Sequence, residues 1–246
     1  MKLLLLGTSG YHPTDLRQTS CLMLPEIGVV LDAGTAMYRI RDHLQTDQLD
    51  IFLTHAHLDH IIGLTYLFDV LYQKPVEHAV VHGESEKLTS IQQHLFAHEL
   101  FPAMPPIEWR PLTASVELRG GGTLKYFPLE HPGGSVGFRL DWPDRSLAYV
   151  TDTTASPGAP YIDEIRGVDL LVHECYFTDD WQQWAEKTGH SCLTAVAQVA
   201  AEARVDRLVL VHANPLESAA EPLPLDSVRH IFPNISMGHD GQQIDF

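Results

Sequence analysis

The chain has 246 residues, of which 44% are hydrophobic and 20% are charged. These proportions predict one well-packed globular domain over residues 1–246, or two closely joined halves. The formal net charge is −16, from 32 acidic and 16 basic side chains. Affinity for long nucleic acids comes largely from Lys and Arg that neutralise phosphates. The charge therefore disfavours a long nucleic acid as partner and favours a small substrate.

Cysteine content and hydropathy indicate the compartment. Cys21, Cys175 and Cys192 form an odd set without a C-x-x-C pair, so we expect no disulfide framework and a cytoplasmic location. The apolar run at residues 3–6 ends at Gly7, which is too short for a signal peptide. No stretch approaches the ~20 apolar residues of a membrane span, so no membrane partner is expected.

Short apolar segments separated by turn residues predict ten strands along the chain. In order they lie at residues 3–6, 21–24, 28–31, 51–53, 79–81, 123–127, 137–140, 147–150, 170–172 and 208–211. Helical periodicity is present at residues 36–44, 61–71, 85–100 and 191–203. Strands and helices are mixed in both halves, which predicts two sheets packed face to face with helices outside.

A histidine-rich segment follows the apolar run at residues 49–53. It contains four potential metal ligands, His55, His57, Asp59 and His60, within six positions. Side chains two apart in an extended chain point the same way, so His55 and His57 can converge on one ion. Imidazole and carboxylate are the ligands of catalytic zinc. The competing interpretation is a polar turn that happens to be rich in histidine.

Further candidate ligands follow other apolar strands. They are His131, Asp152, His173 and His212. Strand ends are common places for active-site groups because the sheet fixes the backbone while the loop exposes the side chain. Singly, each is equally compatible with an ordinary polar residue at a strand end. Together with the histidine-rich segment, they predict a metal centre.

At this point the chain resembles the metallo-β-lactamase fold superfamily, in its ribonuclease Z-like and cyclic-phosphodiesterase-like branch. The first match is H-x-H-x-D-H at residues 55–60. Asp32 in Leu-Asp-Ala-Gly and His131 in the H-x-x-x-S-x-G-F-R segment 131–139 also match family motifs. The remaining matches are Asp152-Thr153, His173-Glu174-Cys175, Gly189-His190-Ser191 and Val211-His212. Cys175 stands where the family has Ala. The match extends over nearly the whole chain.

The resemblance implies a four-layer αββα sandwich and two divalent metal ions, Zn²⁺ in the first instance, with Mn²⁺ or Fe²⁺ as alternatives. One ion would be held by His55, His57, His131 and Asp152, and the other by Asp59, His60, Asp152 and His212. Asp32 would hold the histidine-rich loop by hydrogen bonding. For His190 two roles stay open: it supports a ligand, or it merely precedes a helix N-cap at Ser191.

The mechanism that follows is hydrolysis of a phosphodiester by a metal-bridging hydroxide. Asp59 would orient the hydroxide or accept its proton. His173 would stabilise the phosphate or protonate the leaving group, with Glu174 as its orienting partner. A buried hydrogen bond at a strand end is the alternative role for His173 and Glu174.

We expect a small anionic substrate, a phosphodiester or a cyclic phosphate. A ribonuclease Z-like tRNA 3′ endonuclease is the first alternative, but the 21 positions from His131 to Asp152 leave no room for the tRNA-binding arm found there in several such enzymes. An ester, thioester or lactone hydrolase is another alternative. A non-catalytic ligand-binding accessory protein and an iron redox enzyme fit less well, because the ligand pattern is intact. The family also suggests a homodimer.

Overall fold

The computed structural model describes residues 1–217 and 219–246. Its strands form two mixed sheets of seven strands each. The chain divides into two compact units. The first comprises residues 1–113 and 239–245, and the second comprises residues 114–238 and 246. The prediction of one domain over residues 1–246 stays a prediction.

The sheet of the first unit combines antiparallel and parallel pairs. Its strands are β1 (Lys2–Gly7), β2 (Cys21–Leu24), β3 (Val29–Leu31), β4 (Gln48–Phe52), β5 (His78–Gly83), β6 (Glu108–Pro111) and, from the end of the chain, β14 (Gln242–Asp245). The order is β14-β1-β2-β3-β4-β5-β6. The pairs from β14 to β3 are antiparallel and those from β3 to β6 are parallel.

Short helices cover one face of this sheet. They are α1 (Leu58–Ile61), α2 (Leu67–Leu71) and α3 (Ser85–Ser90), with 3-10 helices at Thr35–His43 and Ile62–Tyr66 and a π-helical turn at Ile91–Leu95. Because side chains alternate along a strand, Leu49, Ile51 and Leu53 share the face that packs in a core with Met37 and Leu64. Burial of this apolar face is the main force that holds the helices on the sheet.

The sheet of the second unit repeats that plan. Its strands are β7 (Val116–Leu118), β8 (Gly122–Leu129), β9 (Ser135–Trp142), β10 (Arg145–Val150), β11 (Leu170–Glu174), β12 (Arg207–Val211) and β13 (Ile235–Met237). The order is β13-β12-β11-β10-β9-β8-β7. The pairs from β7 to β10 are antiparallel and those from β10 to β13 are parallel.

Two principal helices belong to the second unit, α4 (Gln182–Thr188) and α5 (Leu193–Ala203), with 3-10 helices at Pro160–Ile162, Asp179–Trp181 and Leu225–Ser227. The helix predicted from the periodicity of residues 191–203 is confirmed by α5, in which Leu193, Val196, Ala200 and Ala203 are fully buried in the core. No described helix is both long and apolar enough to cross a membrane.

The ends of neighbouring strands carry the polar residues of interest. In the first unit, Asp32 follows β3 and the histidine-rich segment follows β4. In the second unit, Asp152 follows β10 and His212 follows β12. Asp32, Asp152 and His212 have positive φ angles of 59°, 50° and 59°. Non-glycine residues rarely adopt this left-handed conformation, and strained backbone of this kind is enriched at functional sites.

Candidate metal centre

In the first unit, the carboxylate of Asp32 holds the start of the histidine-rich segment. Asp32 is fully buried. Its Oδ1 accepts hydrogen bonds from the backbone N–H of Thr54 at 2.8 Å and from the Thr54 hydroxyl at 2.9 Å. Its Oδ2 lies 2.8 Å from Nδ1 of His60. The role that the resemblance implied for Asp32, positioning by hydrogen bonding, therefore agrees with its contacts.

These contacts also set the tautomers of His60 and His55. A carboxylate accepts, so Nδ1 of His60 carries the proton. The Thr54 hydroxyl donates its proton to Asp32, so its lone pair accepts from Nδ1 of His55 at 3.0 Å. Both rings are thereby left with the Nε2 lone pair available for a metal, which is how supporting hydrogen bonds orient histidine ligands.

His57 and Asp59 complete the set in this unit. The rings of His55 and His57 have centroids 4.5 Å apart, and those of His55 and His60 are 4.3 Å apart. Asp59 Oδ2 lies 3.4 Å from Nε2 of His60 and accepts a hydrogen bond from the backbone N–H of Tyr11 at 2.8 Å. The four predicted ligands of the first unit are thus gathered at one end of β4.

In the second unit, Asp152 lies between two histidines. Its Oδ2 lies 3.6 Å from Nε2 of His131, and its Oδ1 lies 3.2 Å from Nε2 of His212. Nδ1 of His131 donates to the carbonyl of Gly189 at 2.9 Å, so its Nε2 also carries a lone pair. Each carboxylate oxygen faces a different imidazole, as required of a carboxylate that bridges two ions.

Gly189 makes this anchoring of His131 possible. It ends α4 with a left-handed φ of 75°, which glycine adopts without strain. A Cβ at this position would lie 2.8 Å from Nδ1 of His131 and 2.3 Å from the ring of Pro132. Only glycine permits the carbonyl to approach the imidazole this closely.

His190 is the residue that sequence reasoning left open. Its Nδ1 lies 3.1 Å from Oε1 of Glu174. Glu174 is fully buried, and it also accepts from the backbone N–H groups of Thr153 at 3.0 Å and Ser191 at 3.3 Å. The ligand-type atoms of Asp152, His190 and His212 all lie within 4.8 Å of one another. His190 is therefore held by Glu174 beside two predicted metal ligands, which the Gly-His-Ser motif alone did not reveal.

His173 has a different environment from the one predicted for a catalytic acid. It is fully buried on β11. Its Nε2 lies 2.9 Å from the hydroxyl of Tyr161, and its Nδ1 lies 2.6 Å from the backbone carbonyl of Glu174. Burial lowers the pKa of His173 below its ordinary value of 6.5. With both ring nitrogens engaged, the alternative role of a buried strand-end hydrogen bond describes His173 better, and the orienting carboxylate of Glu174 serves His190 instead.

The donor set fits a divalent metal. Imidazole nitrogens and carboxylate oxygens suit Zn²⁺, and they also bind Mn²⁺ and Fe²⁺. Nε2 of His60 faces Asp59 in the first unit, and the Nε2 atoms of His131 and His212 face Asp152 in the second. Supporting hydrogen bonds fix the tautomers of His55, His60 and His131. The geometry within each unit is thus compatible with a bound metal.

Comparison with known proteins agrees with this fold. The model of the Beta-lactamase superfamily domain matches residues 28–213. Ribonuclease Z of Synechococcus sp. (strain CC9605) is 27% identical, with 100% of this chain and 98% of the relative aligned. The metallo-beta-lactamase fold protein YhfI from Bacillus subtilis has a TM-score of 0.81 at 18% identity, covering 99% of both chains. The short form of human tRNase Z has a TM-score of 0.79 at 22% identity, covering 100% of this chain and 99% of the other.

The fold and the donors define the class of metal-dependent hydrolases, as predicted. The chain belongs to the beta-lactamase superfamily. The ribonuclease Z-like resemblance is confirmed, and the two seven-stranded mixed sheets with their helices match the predicted αββα fold class.

The chain is shorter than its ribonuclease Z relatives. The alignment with the Synechococcus enzyme spans 313 positions, whereas the chain has 246 residues, a difference of 67. At least that many positions of the alignment therefore lack a residue of this chain. Between His131 and Asp152 the chain forms only β9, β10 and their turns, in agreement with the predicted absence of an arm there.

Proposed function

We propose that this protein is a dinuclear metal-dependent phosphodiesterase that hydrolyses a small phosphodiester or cyclic phosphate. The observation that carries the proposal is Asp152, whose two carboxylate oxygens face the Nε2 atoms of His131 and His212. The ligand sets are those implied by the resemblance: His55, His57, His131 and Asp152 for one ion, and Asp59, His60, Asp152 and His212 for the other. Zn²⁺ is the proposed metal.

When bound, two such ions supply a water acidified towards neutrality and positive charge for the phosphoryl oxygens. The chain orients the reacting groups. Asp59 is fixed by the N–H of Tyr11, and we assign it the orientation of the attacking water and the acceptance of its proton. Asp32 keeps the proton of His60 on Nδ1, so that the lone pair of Nε2 is on the side of Asp59.

His190 is the proposed donor of a proton to the leaving oxygen. Its Nδ1 is held by Glu174, and it lies beside Asp152 and His212, where a substrate would react. Glu174 fixes the orientation of the ring, as a carboxylate does for a catalytic histidine. We assign no proton transfer to His173, because both of its ring nitrogens are hydrogen-bonded within the core.

Charge and length support a small substrate. The net charge of −16 repels a polyanion, and 67 positions of the alignment with the Synechococcus enzyme lack a residue of this chain. Cleavage of tRNA at its 3′ end is the second candidate, because the curated relatives are named ribonuclease Z. We retain the homodimer as a proposal from family membership.

Metal analysis combined with a substrate screen tests the proposal. Purified protein is expected to contain about two zinc ions per chain, to lose them with its activity to a chelator, and to regain both with added Zn²⁺. It should cleave bis(4-nitrophenyl) phosphate and 2′,3′-cyclic nucleotides faster than 4-nitrophenyl acetate. Hydrolysis of the carboxylic ester alone would refute the phosphodiesterase assignment, and preferential cleavage of a tRNA precursor would favour the second candidate.

A further inference from the structure

A cavity of about 430 Å³ opens in the second unit next to His190. It lies between the loop at residues 154–157, helix α4 and helix α5. Its principal polar lining residues are Asp179, Gln182, Glu186, His190, Cys192 and Gln198. A space of this size accommodates a small organic group.

His190 connects the cavity with the proposed metal centre. It lines the cavity, and its ligand-type nitrogen lies within 4.8 Å of those of Asp152 and His212. A group in the cavity therefore lies beside the residue that we assign as proton donor to the leaving oxygen. If His190 is that donor, the cavity would receive the leaving group, which departs opposite the attacking water in an in-line displacement.

The walls of the cavity are rich in hydrogen-bond acceptors. Asp179 accepts from the backbone N–H and the hydroxyl of Thr194, at 3.0 and 2.6 Å, and Glu186 accepts from the side-chain amide of Gln182 at 3.1 Å. A carboxylate has about four acceptor positions, so each retains capacity for a ligand donor. None of the described lining residues is Lys or Arg.

Cys192 adds a buried polar atom to this lining. Only 7% of the residue is exposed, and its thiol has no hydrogen bond to any described residue. Burial, with Asp179 as the next cause, raises the pKa of this thiol to about 11, so it is a neutral group at physiological pH. The charges that line the cavity are therefore carboxylates, apart from any that His190 carries.

We propose that this cavity is the leaving-group subsite and selects a phosphodiester whose leaving alcohol carries a cationic or uncharged hydrogen-bond donor, such as an amine or a hydroxyl. A leaving group with a further negative charge is rejected by Asp179 and Glu186. This inference rests on the proposed phosphodiesterase function and narrows its substrate class. A leaving RNA strand, which carries one phosphate per nucleotide, would be rejected by the same carboxylates.

A matched set of methyl aryl phosphodiesters tests the selectivity. Their leaving phenols carry an aminomethyl, a hydroxymethyl or a carboxymethyl arm at the meta position, so that the reacting phosphate is the same in all three. We expect kcat/KM to fall in that order, by about tenfold from the first to the last, as screened carboxylate contacts allow. Equal values, or a preference for the carboxymethyl compound, would overturn the proposal.

Charge reversal at one wall residue provides the matched control. Glu186→Lys should lower the preference for aminomethyl over carboxymethyl by about fivefold or more. Asp180→Lys makes the same change in net charge six positions earlier, at an exposed residue outside the cavity lining, and should leave the preference unchanged. The same change in both variants would mean that only the overall field matters, and would refute the cavity as the subsite.

Binding of the leaving phenols alone separates this proposal from the proposed function. In titration calorimetry, 3-(aminomethyl)phenol should bind more tightly than 3-hydroxyphenylacetate, and Glu186→Lys should remove the difference. If this holds while no phosphodiester is cleaved, the subsite stands and the proposed function fails. If phosphodiesters are cleaved without any preference and neither phenol binds, the function stands and the subsite is wrong.

Discussion

Replacing Asp32 with Asn tests whether a buried carboxylate positions the histidine-rich segment. Asn retains the shape of Asp and tolerates the left-handed φ of 59°, so the backbone is not the variable. An amide has one oxygen, and Thr54 uses it through two donors. In Asn, an NH₂ group replaces Oδ2 of Asp32, which now lies 2.8 Å from Nδ1 of His60. This NH₂ group would face the Nδ1–H of His60. A buried donor is then left without an acceptor.

The size of the effect follows from that lost acceptor. A buried donor without a partner costs about 1–3 kcal/mol. In urea titrations, the free energy of unfolding of the metal-free variant should therefore be lower by that amount. Loss of a supporting hydrogen bond also lowers metal affinity about 10–100-fold, which competition with a zinc-chelating dye measures. Asp42→Asn, at an exposed aspartate of the same unit, serves as control and should change neither quantity. An Asp32→Asn variant with unchanged unfolding and unchanged zinc affinity would refute the positioning role.

Three further predictions concern the second unit. Asp152→Asn should abolish turnover and reduce the metal content to one ion or fewer per chain by elemental analysis; two retained ions would exclude bridging. His190→Gln should lower kcat about 100-fold for a substrate with an alkyl leaving group. The loss should be much smaller for 4-nitrophenolate, which leaves without a proton donor. Equal losses for both substrates would contradict the role of His190 as proton donor. Burial lowers the pKa of His173, so the unfolded chain takes up this proton at a higher pH than the folded chain. The free energy of unfolding should therefore decrease as pH drops through about 6.5. His173→Gln should weaken this dependence, as measured by urea titrations at pH 7.5 and 5.5. An unaltered pH dependence would exclude His173 as its source.

The candidate ligands could be selected from the sequence because they lie in one short motif or at the ends of apolar strands. Residues 55–60 lie within a few residues of one another, so their convergence needs only local geometry. The strands that precede Asp152 and His212 are continuous runs of apolar residues, typical of parallel strands buried on both faces. The turn between β7 and β8 contains Gly120 and Gly121, both with positive φ, which is a local signal of the same kind.

Strands at the edges of the sheets were not predicted. The strand β6 contains exposed residues and Pro111, which suits only an edge, and β14 pairs with β1 across almost the whole chain length. Neither β6 nor β14 is long enough for an alternation of apolar and polar residues to indicate a strand in the sequence. The sequence also did not reveal that the two sheets share one strand order, because the strand pairing repeats while the amino-acid sequence does not.

The sequence did not reveal the contact between Glu174 and His190, because side-chain direction depends on tertiary packing. His173 and Glu174 are adjacent on β11, and adjacent side chains of a strand point to opposite faces. His173 therefore points towards Tyr161, while the carboxylate of Glu174 points towards His190, which is 16 residues away in sequence. The predicted strand ended at residue 172, whereas β11 extends to Glu174, so the strand alternation was not applied to this pair.

The left-handed backbone at Asp32, Asp152 and His212 limits how evolution or a designer can change this protein. Most L-residues lose about 1–2 kcal/mol there, and β-branched ones lose more. Attempts to shift metal preference by exchanging donor types should therefore begin at His57 or His131, whose backbone is unconstrained in this way. The three strained positions will accept little beyond Asp, Asn, His and Gly, whatever chemistry the new substrate demands.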